Sequence, residues 1–189
     1  MRISGGRLSG RTLKDPTTRA IRPMRDAVRL ALFNIWGGQV EGGAFLDLFA
    51  GTGSVGIEAL SRGARQATFV EQLPQALRVL DENLRALELQ SQSRVIPSDV
   101  FAAFDRLSAL GPFDLIFVGP PYGKALADQA LQALSTGAIL AADGCLAAEV
   151  FRKERLQERY DRLAQMQSRQ YGDNLLVFYR WQGASDTTG

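Results

Sequence analysis

The chain has 189 residues, 46% of them apolar and 22% charged, and a formal net charge of +2. That length and apolar content suit one domain with its own hydrophobic core and argue against wholesale disorder. The absence of histidine excludes Ser-His-Asp and Cys-His catalysis and histidine metal sites, while a lone cysteine, Cys145, can build neither an intrachain disulfide nor a zinc site.

No metal is expected on these grounds, and the single cysteine fits a reducing, cytoplasmic location. No run of 18 apolar residues exists, so no transmembrane helix is expected. The opening "MRISGGRLSG" lacks the apolar segment of a secretory signal.

Charge is concentrated at the start. Arg2, Arg7, Arg11, Lys14, Arg19, Arg22, Arg25 and Arg29 stand against Asp15 and Asp26, eight basic against two acidic, so this stretch carries +6. The remainder, 14 basic against 18 acidic, carries −4. A basic arm on a mildly acidic body points to a polyanion partner, most simply nucleic acid; the alternative is a solvated basic tail. Within the arm, "RIS" and "RTL" read as two short strands parted by Gly5-Gly6 and Ser9-Gly10, a small hairpin. After Pro23, "MRDAVRLALFNIW" has a helical apolar face that Gly37-Gly38 stops. Arg25 and Arg29 lie one turn apart there and are expected to face the same partner.

From Ala44 strands and helices alternate. "AFLDLFA", "QATFVE", "RVIPSD", "FDLIFVG" and "GCLAAEVF" read as strands. Between them, "SVGIEALSRGA", "PQALRVLDENLRALEL", "VFAAFDRLSAL" and "KALADQALQAL" read as helices, the first ended by Gly63 and the second opened by Pro74. This order implies right-handed βαβ units and a parallel sheet covered on both faces. The final "QMQSRQYGDNLLVFYRW" breaks the alternation and reads as a β-hairpin turning at Tyr171-Gly172-Asp173-Asn174. A single domain is expected over 1–189: a basic arm and helix at 1–36, an α/β core at 43–181 and a polar tail at 182–189. No internal repeat is evident.

The segment "LDLFAGTGSVG", Leu46 to Gly56, leaves a strand and opens a helix, the setting a glycine-rich nucleotide loop needs. Gly51 and Gly53 allow a sharp turn and a close approach to a ligand. The G-x-G-x-x-G spacing alone is a weak dinucleotide signal. Asp47, four residues ahead of the first glycine, suits an ammonium or ribose group and would repel a pyrophosphate. Glu71 ends the second strand, 20 residues past Gly51, where a carboxylate can accept both ribose hydroxyls. Asp99 ends the third strand, where it can accept from an adenine amino group. The competing reading makes Asp47 and Asp99 helix caps.

These segments resemble those of S-adenosylmethionine-dependent methyltransferases with a Rossmann-like sheet. More narrowly, the chain is similar to the RsmD family, bacterial 16S ribosomal RNA guanine-N2 methyltransferases. The likeness runs over nearly the whole chain: "MRISGGRLSGRTL", "RPMRDAVRLALFNIW", "LDLFAGTGSVGIEALSRGA", "FVE", "FDLIFVGPPY" and "YGDNLLVFY". It implies a mainly parallel seven-stranded sheet with a C-terminal antiparallel hairpin. It also implies S-adenosyl-L-methionine as cofactor, held by Asp47, Phe49, Gly51, Gly53, Glu71, Asp99 and Val100. The implied substrate is 16S ribosomal RNA, in the small subunit or its precursor, bound by a monomer. Arg2, Arg7, Arg11, Arg22, Arg25 and Arg29 are its expected RNA contacts. Arg22, Arg29 and Asn34 match the family's stretch before the first strand, which implies a role near the cofactor pocket or the RNA.

In amino-methyltransferases generally the fourth strand ends in Asp/Asn/Ser-Pro-Pro-Tyr/Phe. The first side chain and a following carbonyl accept from the target amine, and the aromatic stacks on the flipped or unpaired base. Here Pro120 and Pro121 stiffen the turn and Tyr122 is the stacking candidate. Gly119 departs from the pattern, since this RNA family would have Asp there. Losing a charged acceptor removes about 1.5–3 kcal/mol, roughly 10- to 150-fold in rate if confined to the transition state. A weakened enzyme, replacement of the acceptor by water or a nearby acid, and a silent fold that only binds RNA all stay open, as does another base or nucleic acid as target. Lys124 suits a phosphate beside the target nucleotide, or is a solvated lysine at a helix start. "FRKERLQERYDR" mixes signs and reads as solvated surface.

Overall fold

A computed structural model describes residues 1–15 and 24–182. Arg22, Pro23 and the tail beyond Gln182 lie outside the described residues. Five parallel strands form the body of one sheet: β1 (Ala44–Leu48), β2 (Gln66–Glu71), β3 (Ser93–Pro97), β4 (Phe113–Val118) and β5 (Leu140–Phe151). They alternate with α2 (Ser54–Ser61), α3 (Pro74–Ala86), α4 (Phe104–Leu110) and α5 (Leu126–Thr136), and α1 (Asp26–Trp36) precedes them.

Three antiparallel strands close the chain: β6 (Arg159–Tyr160), β7 (Leu163–Tyr171) and β8 (Asn174–Trp181). The sheet order is β3-β2-β1-β4-β5-β8-β7-β6, so β1 and β4 lie side by side where the order reverses. The expected hairpin is present, with Gly172 at φ +63 in its turn, and β8 pairs antiparallel with β5. Where seven strands were expected, the sheet has eight among the described residues. The addition is the two-residue β6, too short to announce itself by periodicity, which pairs with the start of β7.

The strands are apolar on both faces because both are covered. Phe45, Phe69, Leu115, Phe117 and Phe178 pack toward α1, α2 and α3, while Leu46, Leu48, Val70, Ile116 and Val118 pack with α4 and α5 residues. On the first face Phe33, Trp36, Phe45 and Phe178 form an aromatic cluster with ring centroids 5.5–6.3 Å apart. Among the described residues no helix is long and apolar enough to cross a membrane.

The N-terminal residues form the expected hairpin, with the Ile3 and Leu13 amides donating to Arg11 and Met1 carbonyls at 3.0 Å. The hairpin docks rather than trailing free. Ile3 and Leu13 are buried, and the Arg7 and Leu8 amides donate to the Ser61 carbonyl and hydroxyl. Beneath it lies Glu58 of α2, fully buried. Its carboxylate accepts from the Ser4 amide and hydroxyl at 2.8 Å, Arg62 Nε at 2.8 Å and Arg29 Nε at 3.2 Å.

This corrects Arg29 as an RNA contact. Its guanidinium is fully buried, paired with Glu58 and Asp26, and donates to the Arg2 carbonyl. Arg25 and Arg29 therefore do not share a face: Arg25 is exposed, near Gly172 of the β7–β8 turn. Arg29 sits on the apolar side of α1 because a buried carboxylate there requires a cation.

Candidate active site

The tips of β1 to β5 open onto one crevice of about 590 Å³ at the reversal of strand order, where open α/β sheets bind ligands. It gathers Phe49 and Gly51 from the β1 loop, Glu71 from β2, Asp99 and Val100 from the β3 tip, and Gly119, Pro120, Pro121, Tyr122 and Lys124 after β4. Positions from Phe49 to Lys124 thus line one space, because parallel strands all end on the same edge.

Each loop is fixed by backbone bonds to a carboxylate. Glu71 is 7% exposed. One of its oxygens accepts from the Gln72 and Leu73 amides and the other from the Gly51 amide, all at 2.8 Å, so it ties the β1 and β2 tips together. Asp99 accepts from the Phe101 and Ala102 amides at 2.9 and 3.2 Å and stays partly exposed in the crevice. Asp47 is buried and accepts from the Gly56 amide at 2.8 Å, in the first turn of α2. The capping alternative is therefore part of the answer for both aspartates.

Phe49 turns at φ +62 and Gly51 at +56, so the backbone there takes the left-handed form that costs most residues energy. Gly53, also left-handed at φ +82, lines neither the crevice nor its side cavity. A Cβ there would meet Leu80 at 2.3 Å, so packing against α3 by itself requires glycine at this position.

Asp47 lines a side cavity of about 50 Å³ beside the crevice, with Gly51, Phe117, Gly119 and Glu149. Burial pushes its carboxyl up to about 8; the Gly56 amide works against that and the nearby Glu71 adds to it. The unfolded chain releases this proton near the ordinary value of 3.8 and the folded chain holds it to about 8. Asp47 therefore costs no stability below pH 4, and the penalty grows as pH rises through that window, by up to about 1.4 kcal/mol per pH unit. Asp47→Asn, which keeps an oxygen for Gly56, is expected to raise the thermal midpoint at pH 8 and not at pH 4. An equal change at both would contradict a buried, protonated Asp47.

Gly119 shows why a side chain is missing. A Cβ at 119 would stand 2.5 Å from the Phe117 ring, which is itself buried. Gly119→Asp is expected to cost about 1–3 kcal/mol of stability through overpacking. Adding Phe117→Leu, which removes the obstructing ring carbons, should recover part of it. Urea unfolding of the two single variants and the pair measures that coupling; additive losses would show that the ring is not the obstacle.

Two residues of the site, Glu149 and Asn174, were not singled out for chemistry in the sequence. Glu149 of β5 is 5% exposed and lines both the crevice and the side cavity. Its Oε1 accepts from Tyr122 Oη at 3.3 Å and from Asn174 Nδ2 of β8. An acid inside the apolar run "LAAEV" was the available signal. Tyr122 is further set against Phe151, ring centroids 6.1 Å apart.

The basic residues divide. Arg2, Arg7, Arg11 and Arg25 are exposed, with Arg7 donating to Gln92 Oε1 and Arg11 to the Ala86 carbonyl. Asn34 is exposed on α1. Lys124 is exposed at the crevice rim. Among the described residues no group of His, Cys, Asp or Glu is arranged to hold a metal ion.

The chain is matched over residues 1–180 by the family model described as "Conserved hypothetical protein 95". Ribosomal RNA small subunit methyltransferase D of Escherichia coli (strain K12) is 33% identical over 149 residues, 79% of this chain and 74% of that protein. YlbH of Bacillus subtilis (strain 168) is 34% identical over 184 residues, 97% of this chain and 100% of that protein. A solved structure from Thermus thermophilus superposes with a TM-score of 0.82 at 33% identity, covering 95% of this chain and 99% of that one. Motif, strand order and relatives agree: the chain belongs to the RsmD family of methyltransferases.

Proposed function

We propose that the protein methylates ribosomal RNA, transferring a methyl group from S-adenosyl-L-methionine to the exocyclic N2 of a guanine in 16S RNA. The observation that carries this reading is the single crevice shared by Glu71, Asp99 and the Pro120-Pro121-Tyr122 turn. The name of the Escherichia coli relative supports ribosomal RNA of the small subunit as substrate. The guanine and its N2 rest on the family resemblance of the sequence.

The residues present fit this cofactor. Glu71, held at the β2 tip by three amides, has the charge and position to accept two ribose hydroxyls. Phe49, Val100 and Phe101 supply apolar surface for a purine, and Asp99 an acceptor for its amino group. Asp47 borders the side cavity, where an ammonium would favour its charged form. Bound there, the cofactor supplies an electrophilic methyl group on sulfonium sulfur, already activated for displacement.

The chain's own task is then positioning. Pro120 and Pro121 limit the backbone after β4, so the acceptor groups of the turn keep their direction. Tyr122 offers an aromatic face to the target base. Lys124 stands at the crevice rim as a phosphate contact, and the exposed Arg25, Arg2, Arg7 and Arg11 supply further basic surface on α1 and the docked hairpin. A nitrogen nucleophile becomes acidic as it alkylates, so a chain without histidine lacks nothing the reaction requires. The enzyme acts as a cytosolic monomer in this reading.

Incubating the protein with methyl-labelled cofactor and unmethylated small-subunit RNA, free or assembled, tests it. Label on guanine N2 is the expected result. Cofactor binding without transfer to either substrate would favour a silent RNA-binding fold, the reading that Gly119 supports.

A further inference from the structure

We propose that Glu149 supplies the acceptor that residue 119 lacks, taking a hydrogen bond from the exocyclic amine of the target base. The inference rests on the methyl-transfer reading above and adds a residue to it. β4 and β5 run parallel with Phe117 beside Ala147 and Val118 beside Ala148. Gly119 comes next after the end of β4, and Glu149 comes next along β5, two residues before that strand ends. Alternation along a strand puts Phe117, Gly119, Ala147 and Glu149 on the same face. Both Gly119 and Glu149 line the crevice and the side cavity.

The two positions exchange roles. Space that a side chain at 119 would fill holds the Phe117 ring, 2.5 Å from the ideal Cβ, so an acceptor cannot project there without displacing it. The neighbouring strand places a carboxylate on the same wall instead. Burying an acid in an apolar strand is costly unless bonds compensate it, and Glu149 is 5% exposed between Ala148 and Val150. Asn174 Nδ2 and Tyr122 Oη both donate to its Oε1, which fixes the carboxylate and aligns it with the aromatic ring proposed to stack on the base. The two oxygens of a carboxylate together offer about four acceptor sites, so one such group can serve several donors at once. A carboxylate acceptor at this place would also favour the nitrogen that becomes positive as it is alkylated, since preorganised charge acts on the charge that develops in the transition state.

The test compares wild type with Glu149→Gln, which keeps the shape and one oxygen but loses the charge. Methyl transfer to small-subunit RNA gives kcat and KM, calorimetry with S-adenosylhomocysteine gives cofactor Kd, and thermal unfolding reports folding. The expected result is a kcat lowered roughly 10- to 150-fold, with KM for RNA and cofactor Kd within about threefold. A kcat within threefold of wild type would overturn the assignment while leaving the methyltransferase reading intact. So would a loss carried by KM, Kd or unfolding, which would make Glu149 a structural residue. Wild-type protein that binds the cofactor and transfers nothing would remove both.

Discussion

Arg29→Leu is expected to lower the stability of the protein by about 3–5 kcal/mol, the usual cost of leaving a buried charge without its partner. At about 2–4 °C per kcal/mol for a chain of this size, the thermal midpoint should fall by roughly 6–20 °C. The charge left behind is Glu58, fully buried, which would keep only Arg62 and Ser4. Removing both charges in Arg29→Leu/Glu58→Leu should cost less than the two single losses added together, because no fully buried ion remains and the partners left over, Arg62 and Asp26, reach solvent. Differential scanning calorimetry of the three variants decides it. A surface arginine serving RNA alone would behave oppositely: its loss would lower RNA affinity and the salt dependence of binding while leaving the midpoint unchanged.

That ion pair has a structural purpose visible around it. Glu58 holds Ser4 of the hairpin, Arg29 of α1 and Arg62 of its own helix, and Arg62 lies over the Phe33 ring at 5.1 Å. Three separate segments meet on one carboxylate. The basic N-terminal hairpin is consequently a fixed surface of the domain, with Arg2, Arg7 and Arg11 held in set positions rather than on a free tail.

Glu71→Ala is expected to weaken binding of S-adenosylhomocysteine by about 10- to 150-fold, the loss of one charge-assisted acceptor set. The effect has two sources. The carboxylate would no longer meet the ribose, and the Gly51, Gln72 and Leu73 amides it now accepts would lose their partner, loosening the loop that forms the crevice wall. Glu71→Gln should lie between, since its amide keeps one oxygen. Calorimetric titration of both variants measures this. Affinity within threefold of wild type in Glu71→Ala would move the nucleoside elsewhere in the crevice or out of it.

Much of this molecule is legible in its residues. Alternation of short apolar runs with helical periods called for a parallel sheet, and the Tyr171-Gly172-Asp173-Asn174 turn called for the final hairpin. Both depend on local patterns: period 2, period 3.6 and turn chemistry. The glycine-rich loop and the Pro-Pro-Tyr turn were equally local, and all but Gly53 and Asp47 of the expected cofactor and catalytic positions line the main crevice. At Gly53 a second demand for glycine, the closeness of Leu80, was not legible, because it comes from a helix almost 30 residues further along the chain.

By itself, then, the sequence determined the order and type of the elements, the edge of the sheet where the crevice opens, and the chemistry excluded by having no histidine. Only the tertiary structure decided which charges face water and which face each other. Arg25 and Arg29 look alike in the chain, yet one is exposed and the other fully buried. Glu149 and Gly119 are 30 residues apart, yet the pairing of β4 with β5 brings both to the wall of one crevice. Local propensity reports a residue's own backbone, whereas burial and partnership come from segments far away along the chain, and charged groups take their roles from those partners.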